Sequence, residues 1–75
     1  MSGSVYKVIE LVGTSSESWE DAARRAIETA AKTVQDLRIA EVVTMDVRLD
    51  GDSIVEYRVK MKVSFKYHED LNDQA

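Results

Sequence analysis

Several short stretches carry residue types that could do chemistry. Gly13-Thr14-Ser15 stands just ahead of a helical pattern, and helix N-termini attract phosphates and other anions. With no further glycines beside it, the segment reads better as a turn. Asp50-Gly51-Asp52 resembles the start of a calcium loop, yet no bidentate Glu closes it and no helices flank it. A hairpin turn fits better. Arg58, Lys60, Lys62 and Lys66 make a basic stripe, which suits a solvated or interface face partnered by Glu56, Asp46 or Glu41. A nucleic-acid contact is the use of that stripe in a different functional class. His68 lies in an acidic tail with no nucleophile patterned around it, so no hydrolytic triad is visible. Trp19, at the first position of the helical pattern, reads as a core anchor rather than a stacking platform.

Composition narrows the classes. At 75 residues a chain buries only about 60% of its unfolded surface and usually needs a disulfide, a metal or partners. The sequence has no Cys and one His, which excludes disulfides, thiolate metal sites and His-rich zinc sites. Self-association or an oxygen-ligated ion remains. The net charge of −4 argues against non-specific nucleic-acid binding, which depends on excess Lys and Arg. No apolar run approaches the ~20 residues of a membrane span, and no signal-peptide core opens the chain. The expectation is a soluble, cytoplasmic protein with no membrane or nucleic-acid partner, a single domain over residues 1–75 with flexible ends at 1–4 and 69–75.

The elements that position these residues follow from periodicity. From Ile54 to Tyr67, apolar residues fall at every second position from Val55 onward, the pattern of a half-buried strand. Such a strand spans about 45 Å, more than a chain this small covers alone, so it bends or is covered by neighbouring chains. Val5–Val12 reads as a first strand broken by Gly13. Ser18 is an N-cap with Asp21 in capping-box position, and the spacing of Trp19, Ala22, Ala23, Ala26, Ile27, Ala30, Val34 and Leu37 predicts an amphipathic helix to about residue 36. Glu20–Arg24, Asp21–Arg25 and Glu28–Lys32 are spaced for i,i+4 pairing. Ile39–Leu49 reads as the second strand, with Ile39, Val43, Met45, Val47 and Leu49 on one face, interrupted by Glu41, and Ala40, Val42, Thr44, Asp46 and Arg48 on the other. Asp50-Gly51-Asp52-Ser53 is the hairpin turn. A helical crossover favours parallel first and second strands, with the last antiparallel to the second. One helix covers one sheet face, so part of the other should be an interface.

Taken together, VYKVIELVGTSSESWEDA, the Ala-rich helix, DLRIAEVV and EYRVKMKVSFK resemble the dodecins. The shared order is a first strand closing in Gly13-Thr14-Ser15, a helix, a strand beginning Ala40-Glu41-Val42, and a hairpin into Tyr57, Val59, Val63 and Phe65. The resemblance implies an α+β fold of β-α-β-β order, a three-stranded antiparallel sheet wrapped on one helix. It also implies a homododecameric hollow shell that stores small ligands, flavins above all, rather than catalysing. At the positions of the family's flavin pocket this chain differs. The usual Trp is Ile39, the usual Gln is Arg58, and an Arg common in the second strand is Asp46. An aromatic plane is missing, and Arg58 accepts no hydrogen bond. The SWE, Ile-Ala, YR and SFK combinations look closer to an actinobacterial branch, the calcium dodecins, whose ligand is Ca²⁺. Calcium needs several oxygen ligands; among Glu17, Glu41, Asp46, Asp50 and Asp52, the metal candidates are Glu17, Glu41 and Asp46. Alternatively, Arg58 pairs with Asp46 or Glu41 and seals the flavin pocket. The expected function is therefore a non-enzymatic storage shell without stacked flavin, holding calcium or another small ligand; the alternative is a flavin store with an altered pocket.

Overall fold

The structure is a computed structural model that describes residues 3–67. His68 and most of the two ends expected to be flexible lie outside the described residues. The elements are β1 (Tyr6–Ser15), α1 (Trp19–Ala31), β2 (Leu37–Asp50) and β3 (Ser53–Lys66). They form a three-stranded sheet in the order β1-β3-β2, with β3 antiparallel to both neighbours. β1 and β2 therefore run parallel, as the helical crossover requires, but the last strand is inserted between them. The alternating stretch is the central strand of the sheet.

Alternation along β3 sorts its side chains as expected. Val59, Met61 and Val63 are each 1% exposed and pack with Ala22 against α1, joined by Ile9, Leu11, Ala26 and Ile27. Arg58, Lys60 and Lys62 point to the opposite, open face. α1 can lie close to β1 because Gly13 has no side chain: a Cβ there would stand 2.2 Å from the Ala22 carbonyl oxygen. Gly13 does not break β1, which runs on through Thr14 to Ser15. The glycine serves the close approach of helix to strand, not a turn.

The helix start follows the sequence reading. The Ser18 hydroxyl accepts a hydrogen bond from the Asp21 N–H at 2.9 Å, which satisfies an otherwise orphaned donor. The Asp21 carboxylate does not return to Ser18 as in a full capping box. It accepts instead from the buried Ser15 hydroxyl at 2.6 Å, and Ser15 Oγ accepts from the Glu17 N–H. Arg25 bonds Asp21 as expected, but Arg24 also turns to Asp21 rather than to Glu20. No Glu28–Lys32 bridge forms among the described residues.

Three features differ from the sequence reading, each for a local reason. α1 stops at Ala31 rather than near residue 36. The N–H groups of Thr33 and Val34 fold back onto the Ala30 carbonyl, and Asp36 takes a positive φ of 62°, a conformation Asp tolerates better than most residues. Leu37, expected on the helix stripe, opens β2 and still packs on the core. In β2 the pairing shifts between Val42 and Thr44, leaving Val43 as the extra residue of a bulge. A bulge reverses which face the preceding residues occupy. Ile39 and Glu41 thus share the open face with Thr44, Asp46 and Arg48, while Ala40, Val42, Met45 and Val47 face the helix side. The Glu41 interruption in the sequence pattern disappears once the bulge is placed. The hairpin turns through Gly51 and Asp52, with φ of 64° at Gly51, and Asp50 pairs with Ser53. The molecule extends 57 Å along its long axis, with Val42, Val43, Met45, Leu49 and Ile54 exposed along the β2–β3 hairpin. Among the described residues no helix is long and apolar enough to cross a membrane.

Candidate functional site

The open face is a set of cross-strand rungs fixed by the two registers. Arg58 lies between Thr14 and Asp46, Lys60 between Val12 and Thr44, Lys62 between Glu10 and Glu41, and Ser64 between Val8 and Ile39. These four β3 residues alternate with the buried ones, so all their side chains leave the sheet on one side. On the first rung Arg58 and Asp46 pair fork to fork: Nε donates to Oδ1 at 2.7 Å and Nη2 to Oδ2 at 2.9 Å. The Arg58 hydrogen bonds hold the Asp46 carboxyl below the usual aspartate range, and Asp46 raises the guanidinium in return. Both side chains are about half exposed, 46% for Arg58 and 49% for Asp46. A pair so wet contributes little to stability, so its effect falls on what the face can bind. Next to it Arg48 bonds Glu56 at 3.1 Å.

From the other side of the sheet the helix start reaches the same strand position. The Trp19 indole N–H donates to the Asp46 carbonyl at 3.1 Å, and its ring meets Tyr57 edge-on at 5.2 Å between centroids. Trp19 is a packing residue, as its place in the pattern indicates. Val12, Thr44, Asp46, Arg58 and Lys60 line an open recess of about 360 Å³ on the open face. A second recess of about 230 Å³, largely apolar, lies on the helix side between Trp19, Ala23, Val42, Met45 and Val59.

The profile of the Dodecin family matches residues 5–68. The chain belongs to the dodecin family. Calcium dodecin of Mycobacterium tuberculosis is 48% identical over 63 residues, 84% of this chain and 89% of that protein. A crystal structure of calcium dodecin from the same species, a calcium-chelating antigen with a novel calcium-binding site, superposes with a TM-score of 0.78 at 45% identity, covering 88% of this chain and 94% of that one. Dodecin from Streptomyces davaonensis superposes with a TM-score of 0.85 at 37% identity, covering 91% and 100%. The β-α-β-β order and the antiparallel sheet on one helix are those of the dodecin structures.

Against that family, the candidate residues of this dodecin divide. Asp46 and Arg58 come together. Ile39, 66% exposed, shares their face but stands opposite Ser64, six β3 residues from Arg58 and so about 20 Å along the strand. Ile39 and Arg58 of one chain cannot touch the same small ring system. Glu41 stands opposite Lys62, and Glu17 leaves the end of β1 at the helix elbow. No three Asp, Glu or His groups converge among the described residues, and both oxygens of Asp46 are taken by Arg58. Among the described residues, then, one chain gathers neither the three flavin-pocket positions around one ring nor a cluster of carboxylates. Lys60, Thr44 and Val12 escaped the sequence reading as lining residues. The alternation of β3 places Lys60 beside Arg58, but only the pairing registers place Val12 and Thr44 on either side of it.

Proposed function

We propose that this dodecin assembles into a homododecameric, hollow, non-enzymatic shell in the cytoplasm, that it binds and stores a small ligand or ion, and that its stacked-flavin pocket is closed. The observation that carries this reading is the Arg58–Asp46 fork, which ties together two of the three residues that the resemblance matches to the family's flavin pocket. Ile39 at the third position offers no aromatic plane. Assembly is supported by the exposed apolar residues along the β2–β3 hairpin, a row that a lone chain this small leaves uncovered. Calcium is the ion this reading names, after the mycobacterial relative. Among the described residues one chain gathers no chelating cluster, so Glu17, Glu41 and Asp46 would act with carboxylates of neighbouring subunits, Asp46 only where Arg58 gives up one of its oxygens.

Light scattering tests the shell: the expected mass is roughly twelve times 8.5 kDa, and a monomer or dimer at micromolar concentration overturns it. Flavin titration tests the closed pocket: the protein is expected to be colourless and to leave riboflavin and FMN fluorescence unquenched, and stoichiometric quenching favours the altered-pocket flavin store instead. Calcium calorimetry on chelator-treated shell should show uptake weakened by Glu17→Gln and Glu41→Gln; no uptake by the wild type removes calcium.

A further inference from the structure

The rung beside the Arg58–Asp46 pair is built differently from those flanking it. Arg58 has the Asp46 carboxylate as its direct neighbour, and Lys62 has Glu10 on one side and Glu41 on the other. Lys60 has the methyl groups of Val12 on one side and the Thr44 side chain on the other. It makes no ion pair among the described residues. Asp46 is its diagonal neighbour, but both Asp46 oxygens are already engaged. Arg58 spends Nε and Nη2 on that carboxylate, which leaves the Nη1 N–H groups with no hydrogen bond to a described residue. Lys60, Arg58 and Thr44 line the same recess of about 360 Å³. Two cations against one carboxylate leave it one net positive charge, in a chain whose own net charge is −4.

We propose that this recess binds a small oxyanion of the phosphate class, with Lys60 Nζ, Arg58 Nη1 and the Thr44 hydroxyl as donors. This names a ligand class for the closed pocket and rests on the reading that the Arg58–Asp46 pair stands where flavin would otherwise sit. The chemistry fits the donor set. An oxyanion accepts from ammonium, guanidinium and hydroxyl groups together, and hydrogen bonds between ionised partners are the strong ones. Asp46 holds the Arg58 fork in place, which fixes the direction in which Nη1 donates. A bare cation finds the opposite: net positive charge, and a carboxylate it must take from Arg58.

The test is calorimetry at low ionic strength, where an exposed site is least screened, on the assembled protein with inorganic phosphate and separately with glycerol 3-phosphate. Tighter binding of the ester points to phosphorylated small molecules as the source, and equal or weaker binding to free phosphate. Lys60→Gln should weaken phosphate about tenfold or more, Thr44→Val by a few-fold, and Lys60→Arg should restore most of the loss. Neither Lys60 nor Thr44 belongs to the buried core or to the exposed apolar row of the hairpin, and light scattering should find every variant assembled. Wild-type protein that takes up no phosphate, or a Lys60→Gln variant that binds it equally well, overturns the proposal. So does Lys60→Gln gaining phosphate affinity. A riboflavin titration on the same samples separates the two readings: quenching removes the closed pocket, whereas unquenched flavin without phosphate uptake removes only the oxyanion.

Discussion

Two Asp–Arg clusters in this chain use the same chemistry in opposite settings. At the elbow between β1 and α1, Asp21 gathers the Ser15 hydroxyl, Arg24 and Arg25. On the open face, Asp46 takes both its bonds from Arg58. The Asp21 side chain is 11% exposed, the Asp46 side chain 49%. Asp21 bonds partners three, four and six residues away in the chain, so it ties a strand end to a helix start. Asp46 bonds across twelve residues to a neighbouring strand already held by its ladder. The first cluster organises backbone, since the Ser15 oxygen also accepts from the Glu17 N–H. The second organises only side chains. The elbow is therefore expected to govern stability and the open face to govern binding.

The elbow should break first and hardest. Gly13→Ala drives a Cβ to 2.2 Å from the Ala22 carbonyl and 2.9 Å from the Ala26 Cβ. α1 must lift from the sheet, costing at least about 2 kcal/mol, on the order of 10 °C in melting temperature for a domain of this size. A Gly13→Ala protein melting with the wild type means that the helix is free to shift and the close seat is not needed. Ser15→Ala comes next. It removes one acceptor and one donor from a buried position, leaving the Glu17 N–H without its acceptor and Asp21 Oδ2 with Arg25 alone, at about 1–3 kcal/mol. Asp46→Asn, by contrast, should leave the urea midpoint almost where it was. If Asp46→Asn destabilises as much as Ser15→Ala, the division between the two clusters fails.

The two clusters were also unequally legible. Ser18 as N-cap and the Asp21–Arg25 pair follow from spacing within one helical turn, which sequence states directly. Ser15 as a third partner does not, because the strand continues past Gly13 and delivers that hydroxyl to the helix. On the open face, alternation in β3 is enough to separate Arg58, Lys60 and Lys62 from Val59, Met61 and Val63. Choosing between Asp46 and Glu41 as the partner of Arg58 required the register, which puts Glu41 opposite Lys62. The bulge at Val43 was hidden because a run of Val42, Val43 and Thr44 fits either face equally well. The helix end was hidden because Asp36, in the left-handed region, makes the turn without a glycine. The insertion of β3 between its two predecessors is a property of pairing at long range, on which local pattern is silent.

Acid titration sharpens the same contrast with a smaller effect. Asp21 is depressed first by the Ser15 hydrogen bond and then by Arg25; Asp46 is depressed by Arg58. A carboxyl whose folded-state value lies below its unfolded value stabilises the fold above the unfolded value, about pH 3.9, and loses that contribution as pH falls through the folded value. Unfolding free energy should thus decline below about pH 4. Asp21→Asn should flatten much of that decline, while Asp46→Asn should change it little, its exposed pair being screened by water and salt. Equal flattening by both variants erases the distinction.

The smallest effect is expected where the two regions touch. Trp19 opens α1 three residues after the elbow begins, and its indole donates to the Asp46 carbonyl on the far strand. Trp19→Phe keeps the edge contact with Tyr57 and deletes one solvent-accessible hydrogen bond, a loss of about 0.5–1.5 kcal/mol. The Asp46 carboxylate should notice nothing, because the group that holds it is Arg58, positioned by the β2–β3 ladder rather than by the indole. NMR titration of the Asp46 side chain in the Trp19→Phe protein should therefore still find its pKa below the usual aspartate range. A return to the ordinary value would mean that the helix start sets the geometry of the open face. The elbow and the ion pair would then be one connected device, and variants at Ser15 would have to alter ligand binding as well as stability.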